Sequence, residues 1–254
     1  MDRLALALAA VAWLVPASVV ADPAAADALF TRRDDVKALE AATDAYEAAG
    51  KPVMVLRCVF LRLHHFDDLK DKEARRAWME RGLKAGEAAL RTNDVPGSLA
   101  TFAGKDAPAL LWYAAIYGRK IEVSETFKQI GMVKHFRHML ERAAELDGGA
   151  YFGGPWRMLG NFHAEAPVIM GGDWDKALRE LDRAVAAAPD FFDNRLVRAE
   201  YAHVHRKDRE AFRRDIRAVL DARDDVLPEV VPEQRKAQAD ARKLLAREPE
   251  LFGD

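Results

Sequence analysis

A single cysteine, three serines and no surplus of either charge close off several chemistries for this 254-residue chain. Cys58 has no second cysteine to pair with, so no internal disulfide forms and stability must come from packing. The serines, Ser18, Ser98 and Ser124, stand outside any Gly-x-Ser-x-Gly motif, and no His-Glu-x-x-His zinc helix or P-loop is present. No cofactor or catalytic signature emerges, and a non-enzymatic role is expected. His135 and His138 are three residues apart, close enough to share an ion on one helix face, but no third ligand completes a metal signature. With 39 basic and 41 acidic residues the net charge is -2, which gives no electrostatic case for nucleic acid.

Long apolar runs are also missing. The longest opening stretch, residues 4–15, is 12 residues long, whereas a membrane-spanning helix needs roughly 20. It follows Met1-Asp2-Arg3 and precedes Pro16 and Val19-Val20-Ala21, an order that reads as a secretory signal cut after Ala21. The expectation is a signal peptide over 1–21 and one mature domain over 22–254. No cysteine follows the apolar stretch to accept a lipid, so the expected product is soluble in the periplasm and does not span the membrane.

What is abundant is helical periodicity. Ala177, Leu178, Leu181, Ala184 and Val185 form one apolar stripe, and Phe212, Ile216, Val219 and Leu220 form another. Glycine and proline clusters punctuate these stripes and predict nine to ten helices after the signal. The stripes also repeat: Ala177 and Ala184 recur 34 residues later as Ala211 and Ala218, Ala199 precedes Ala211 by 12, and Pro189 closes the first unit. Upstream, Trp156, Leu159, Gly160 and His163 follow the first-helix pattern of a tetratricopeptide repeat, with His163 in place of tyrosine. The fold class expected is all-α, a tetratricopeptide-like α-solenoid of antiparallel helix pairs.

Several residues invite two readings. Gly153-Gly154-Pro155 reads as a sharp helix start, since glycine supplies backbone angles closed to other residues and proline favours the first helical turn. Asp173, after Gly171-Gly172, is placed either to cap the next helix or to touch a ligand. Arg157, beside Trp156, either grips a ligand carboxylate or pairs internally with Glu200, which shares a helical face with Val197, Tyr201 and Val204. Trp112, Tyr113, Ile116 and Tyr117 make an aromatic central helix that is either core or the lining of a groove. A dry apolar tunnel near Trp112 and Arg157 favours a small-molecule ligand. A wide polar face favours the alternative, a protein–protein interaction scaffold with no ligand.

Taken in order, these segments resemble a known family. Gly153-Gly154-Pro155-Trp156-Arg157-Met158-Leu159-Gly160, then Pro167, Gly171-Gly172-Asp173 and Lys176-Ala177, are similar to the T component of tripartite ATP-independent (TRAP) transporters, the TatT family. Pro108-Ala109-Leu110-Leu111-Trp112-Tyr113 and Arg206-Lys207-Asp208-Arg209-Glu210-Ala211-Phe212 agree with it, and the resemblance runs from about residue 34 to 252. It implies a periplasmic protein that partners the substrate-binding subunit of such a transporter, assembles as a homotrimer around a central pore, and hands on an apolar or carboxylate ligand. The chain departs from lipoprotein members in lacking the lipid-accepting cysteine. The candidate ligand-binding residues are Trp112, Tyr113, Trp156, Arg157, His163, Glu200 and Tyr201, and Gly153, Gly154, Pro155, Gly160, Pro167, Gly171, Gly172 and Asp173 form a structural motif.

Overall fold

The computed structural model describes residues 22–124 and 126–253, and among these it contains twelve α-helices and no β-strand. They are α1 (Pro23–Phe30), α2 (Val36–Ala48), α3 (Pro52–His65), α4 (Lys72–Leu90), α5 (Ala107–Glu122) and α6 (Thr126–Asp147). The chain continues with α7 (Ala150–Glu165), α8 (Trp174–Ala187), α9 (Phe192–Arg198), α10 (Arg209–Asp221), α11 (Val231–Ala246) and α12 (Glu248–Phe252). The two short end helices, α1 and α12, carry the total past the ten that periodicity predicts. The signal segment expected over 1–21 lies outside the described residues.

Aspartate starts many of these helices. Asp35, Asp71, Asp173 and Asp208 each accept a backbone N–H from the first turn, at 2.7–3.0 Å, which satisfies a donor that has no partner within the helix. Asp173 is therefore a cap. The stop at Pro189 also holds, because α8 ends at Ala187 and Ala188 is already extended, as a residue close before proline tends to be.

Consecutive helices pack as hairpins throughout, α1 on α2 through to α11 on α12. A second set of contacts joins α3 to α5, α5 to α7, α7 to α9 and α9 to α11, and no pair of even-numbered helices packs comparably among the described residues. Odd-numbered helices thus form an inner row, and even-numbered ones form an outer row that covers it, the layering of a helical solenoid. Where rows meet, small residues allow close approach. A Cβ on Gly160 of α7 would lie 2.6 Å from Leu181 Cγ of α8, so only glycine lets these two helices nest at this distance.

The apolar core is one large cluster spanning α1 to α7, with Leu39, Leu56, Leu110, Ile116, Met139 and Leu140 fully buried. A smaller cluster joins α9 to α12 around Phe212, Ile216 and Val219. Of the small residues of the 34-residue repeat, Ala177, Ala184, Ala199 and Ala211 are buried, whereas Ala218 is half-buried.

Candidate functional site

Inner-row helices α3, α5, α7, α9 and α11 surround a chamber of about 650 Å³, with α6 and the loop after α7 closing one side. That volume lies within the roughly 300–1,000 Å³ typical of small-molecule sites. Aromatic side chains dominate the wall: Phe60, Trp112, Phe136, Tyr151, Phe162, Phe191 and Tyr201 all line it.

An unusual backbone segment presents one of them. Tyr151, Phe152 and Gly153 have φ of 45°, 58° and 76°, a left-handed run that costs non-glycine residues on the order of 1–2 kcal/mol each. The regular helix resumes at Gly154, within the Gly153-Gly154-Pro155 stretch where the sharp start was expected, and the left-handed run, a knuckle in the backbone, precedes it. The run places Tyr151 among Phe60, Trp112 and Phe191, with ring centroids 5.6–6.3 Å away. Burial raises the Tyr151 hydroxyl pKa above the ordinary phenol range, as does the adjacent Glu233 carboxylate.

Asn194 holds the knuckle in place. Fully buried, it holds its amide nitrogen, with two N–H donors, 2.9 Å from each of the Phe152, Ala184 and Ala188 carbonyls, which share those donors, and it accepts from Arg157 Nη1 at 2.7 Å. Arg157 Nε lies 3.5 Å from Asp193, and the guanidinium covers the Phe191 ring. The internal partner of Arg157 is therefore the Asp193–Asn194 pair and not Glu200. Glu200 falls in a π-helical turn over Ala199–His203, which adds a residue to the turn and leaves this carboxylate exposed. Tyr201, in the same turn, lines the chamber and donates its hydroxyl to Glu165.

Beside Tyr151, Glu233 of α11 is gripped by Arg33, with Nε and Nη2 at 2.8 and 2.7 Å, and approached by Arg57 at 3.5 Å. Burial alone would raise the Glu233 pKa, but the two guanidiniums outweigh it and hold the carboxyl below its ordinary value. His64 and His65 close the α3 side. Burial, reinforced by Arg119, pushes His64 down to about 3, and burial also lowers His65.

Of the residues singled out in the sequence, Trp112, Arg157 and Tyr201 come together in this wall, and Pro167 lies at its mouth. The other four do not join them. Tyr113 points to the far side of α5 and stacks on Tyr117. Trp156 sits beneath Arg183 on the outside of α7. His163 is buried against Glu180 of α8, at 2.6 Å. Glu200 is the exposed carboxylate just described. Sequence reasoning missed Phe60, His64, Tyr151, Phe162, Asn194 and Glu233. The pair Phe60 and His64, one helical turn apart, was the one local signal available. Gly171, at φ 106°, and Gly172 shape the loop between α7 and α8. In that loop Val168 and Ile169 are 87% and 93% exposed beside the mouth.

A protein-family model described as TRAP transporter T-component matches residues 71–252 of the chain. The matched stretch carries every wall residue except Phe60, His64 and His65. None of the curated proteins matches the chain.

Proposed function

This chain belongs to the TRAP transporter T-component family, and from that premise we propose that it is a non-enzymatic, periplasmic adaptor that holds a small molecule in its inner-row chamber. The observation that carries this reading is the chamber itself: seven aromatic rings, carried by α3, α5, α6, α7 and the ends of α9, converge on a volume of about 650 Å³. No helix among the described residues is long and apolar enough to cross a membrane. The role thus suits a component that meets its membrane partner through another protein, such as the transporter's substrate-binding subunit. The apolar rim of Val168 and Ile169 beside the mouth is where such a subunit would dock during handover. Export after cleavage at Ala21, a single domain over 22–254 and a homotrimeric assembly complete the proposal. Mass spectrometry of the amino terminus and sedimentation of the mature chain test the first and last of these.

The ligand-holding role is tested with Nile red, an uncharged dye that brightens in apolar surroundings. The expected outcome is saturable binding at one site per chain that disappears in Ala115→Phe. Ala115 is 2% exposed and lines the chamber, so the added ring fills the space the dye needs. Unchanged dye binding in that variant would place the ligand elsewhere and leave the scaffold reading in its stead.

A further inference from the structure

The charges on the chamber wall indicate what kind of molecule fits, given that the chamber is a ligand site as proposed above. The wall carries three cations, Arg119, Arg157 and Lys236, and four carboxylates, Glu122, Glu165, Asp193 and Glu233. Nearly all are already committed within the protein. Arg119 pairs with Glu122 at 2.9 Å, Arg157 with Asp193 at 3.5 Å, Lys236 with Asp240 at 2.5 Å and Glu233 with Arg33 at 2.7 Å. Glu165, at the exposed rim, accepts the Tyr201 hydroxyl. An ionised ligand would lose its hydration on entry, and without an uncommitted counter-charge it recovers little of that cost. A carboxylate would, in addition, meet more carboxylates than cations.

The neighbouring cleft makes the contrast. It lies across the partition formed by His64, Arg119 and Glu122, measures about 770 Å³, and carries five cations, Lys70, Lys72, Arg75, Arg76 and Arg119, against three carboxylates. Anion attraction is concentrated there, outside the chamber.

Trp112 Nε1, Arg119 Nε and Asn161 Oδ1 are buried on the wall without a hydrogen-bond partner, and His64, which stacks on Phe60 among the aromatic rings, offers a further acceptor of defined protonation. His64 Nδ1 lies 2.9 Å from the Phe60 carbonyl oxygen, which can only accept, so Nδ1 carries the proton. In a neutral ring Nε2 then has a free lone pair and accepts. Arg119, Arg75 and His65 are the positively charged or ionisable neighbours that oppose a second proton on this ring.

We propose that the chamber holds an uncharged, aromatic-sized apolar molecule bearing a hydroxyl, its body against Phe60, Trp112, Phe136, Tyr151 and Phe162 and its hydroxyl donating to His64 Nε2. The test uses four probes with one ring system: pyrene, pyrenemethanol, pyrenecarboxylate and pyrenemethylammonium, titrated into the mature chain by fluorescence. Only binding abolished by Ala115→Phe is scored, which excludes the neighbouring cleft. Pyrenemethanol is expected to bind at least tenfold more tightly than either charged probe and several-fold more tightly than pyrene. His64→Phe is expected to bring pyrenemethanol down to the affinity of pyrene while leaving pyrene unchanged, with His64→Leu as the substitute should the first variant misfold. A charged probe that equals or exceeds the alcohol overturns this inference and leaves the ligand-holding role intact. If none of the four binds in an Ala115→Phe-sensitive way, both fall together.

Discussion

Helix α5 of the inner row and helix α10 of the outer row bury themselves by different means. Nine of the sixteen residues of α5 are buried, all of them apolar or aromatic, and neighbours cover it on several sides. Helix α10 buries five of thirteen, and one of those is Asp215. Asp215 accepts from Arg198 at 2.8 Å, from His203 at 2.9 Å and from Arg195 at 3.2 Å. The region from α1 to α7 is thus held chiefly by hydrophobic burial, whose stability varies little with pH, although buried Arg62 of α3 pairs there with the more exposed Glu40 and Asp68. The region from α8 to α12 adds a buried ionic cluster whose contribution depends on protonation. The chamber sits where the two regions meet, and Asn194 and Glu233 tie one to the other.

The largest expected effect breaks that tie. Asn194→Ala orphans Arg157 Nη1 and frees the Phe152 carbonyl, with an expected loss of about 4 kcal/mol in urea unfolding. Separate transitions for the two regions would show that Asn194 couples them, and a loss under about 1 kcal/mol would show that it does not. Next, Leu110→Ala in the fully buried middle of α5 removes side-chain volume from the large cluster, for about 3 kcal/mol. That loss should be the same at pH 7 and pH 4.

Asp215→Asn tests the other side of the comparison and should cost on the order of 2 kcal/mol at pH 7. Burial would raise the Asp215 pKa, but the His203 and Arg198 hydrogen bonds hold it well below the ordinary carboxylate range. Its contribution is therefore complete above about pH 4, the unfolded-chain value, and is lost as pH falls toward the depressed folded value. The variant should differ from the parent at neutral pH and converge on it in acid. A difference that persists unchanged at low pH would contradict the ionic reading. The smallest expected effect is that of Gly153→Ala, about 1 kcal/mol, because the residue sits at φ 76° and its added Cβ would come within 3.0 Å of the Ala184 carbonyl oxygen. A stabilised variant would mean that the knuckle relaxes at no cost.

The two regions also differed in how openly the sequence declared them. The stripes of α8 and α10, the cap at Asp173 and the stop at Pro189 follow from local rules, since each depends on a few neighbouring residues. Trp112 and Arg157 were recognisable as a large aromatic and a cation facing inward, and both reach the chamber. Glu200 was misplaced because a wheel of 3.6 residues per turn was projected across a π turn, which the composition of Ala199–His203 does not announce. Tyr151 escaped for a similar reason: two aromatic residues in left-handed conformation defy local preference and persist because distant Asn194 fixes them. Glu233 and Arg33 are 200 positions apart, so no local pattern joins them.

The alternation of rows divides labour along the chain in a way that bears on how such a protein changes over time. Because the vault is roofed by every second helix, with α6 the one buttress that reaches inside through Val133 and Phe136, substitutions that retune the enclosed space fall mainly on one set of helices and those that adjust solubility or partner choice fall mainly on the other. Selection for a new cargo need not disturb the masonry outside, and the outer face is free to drift or to acquire new neighbours while the contents stay the same.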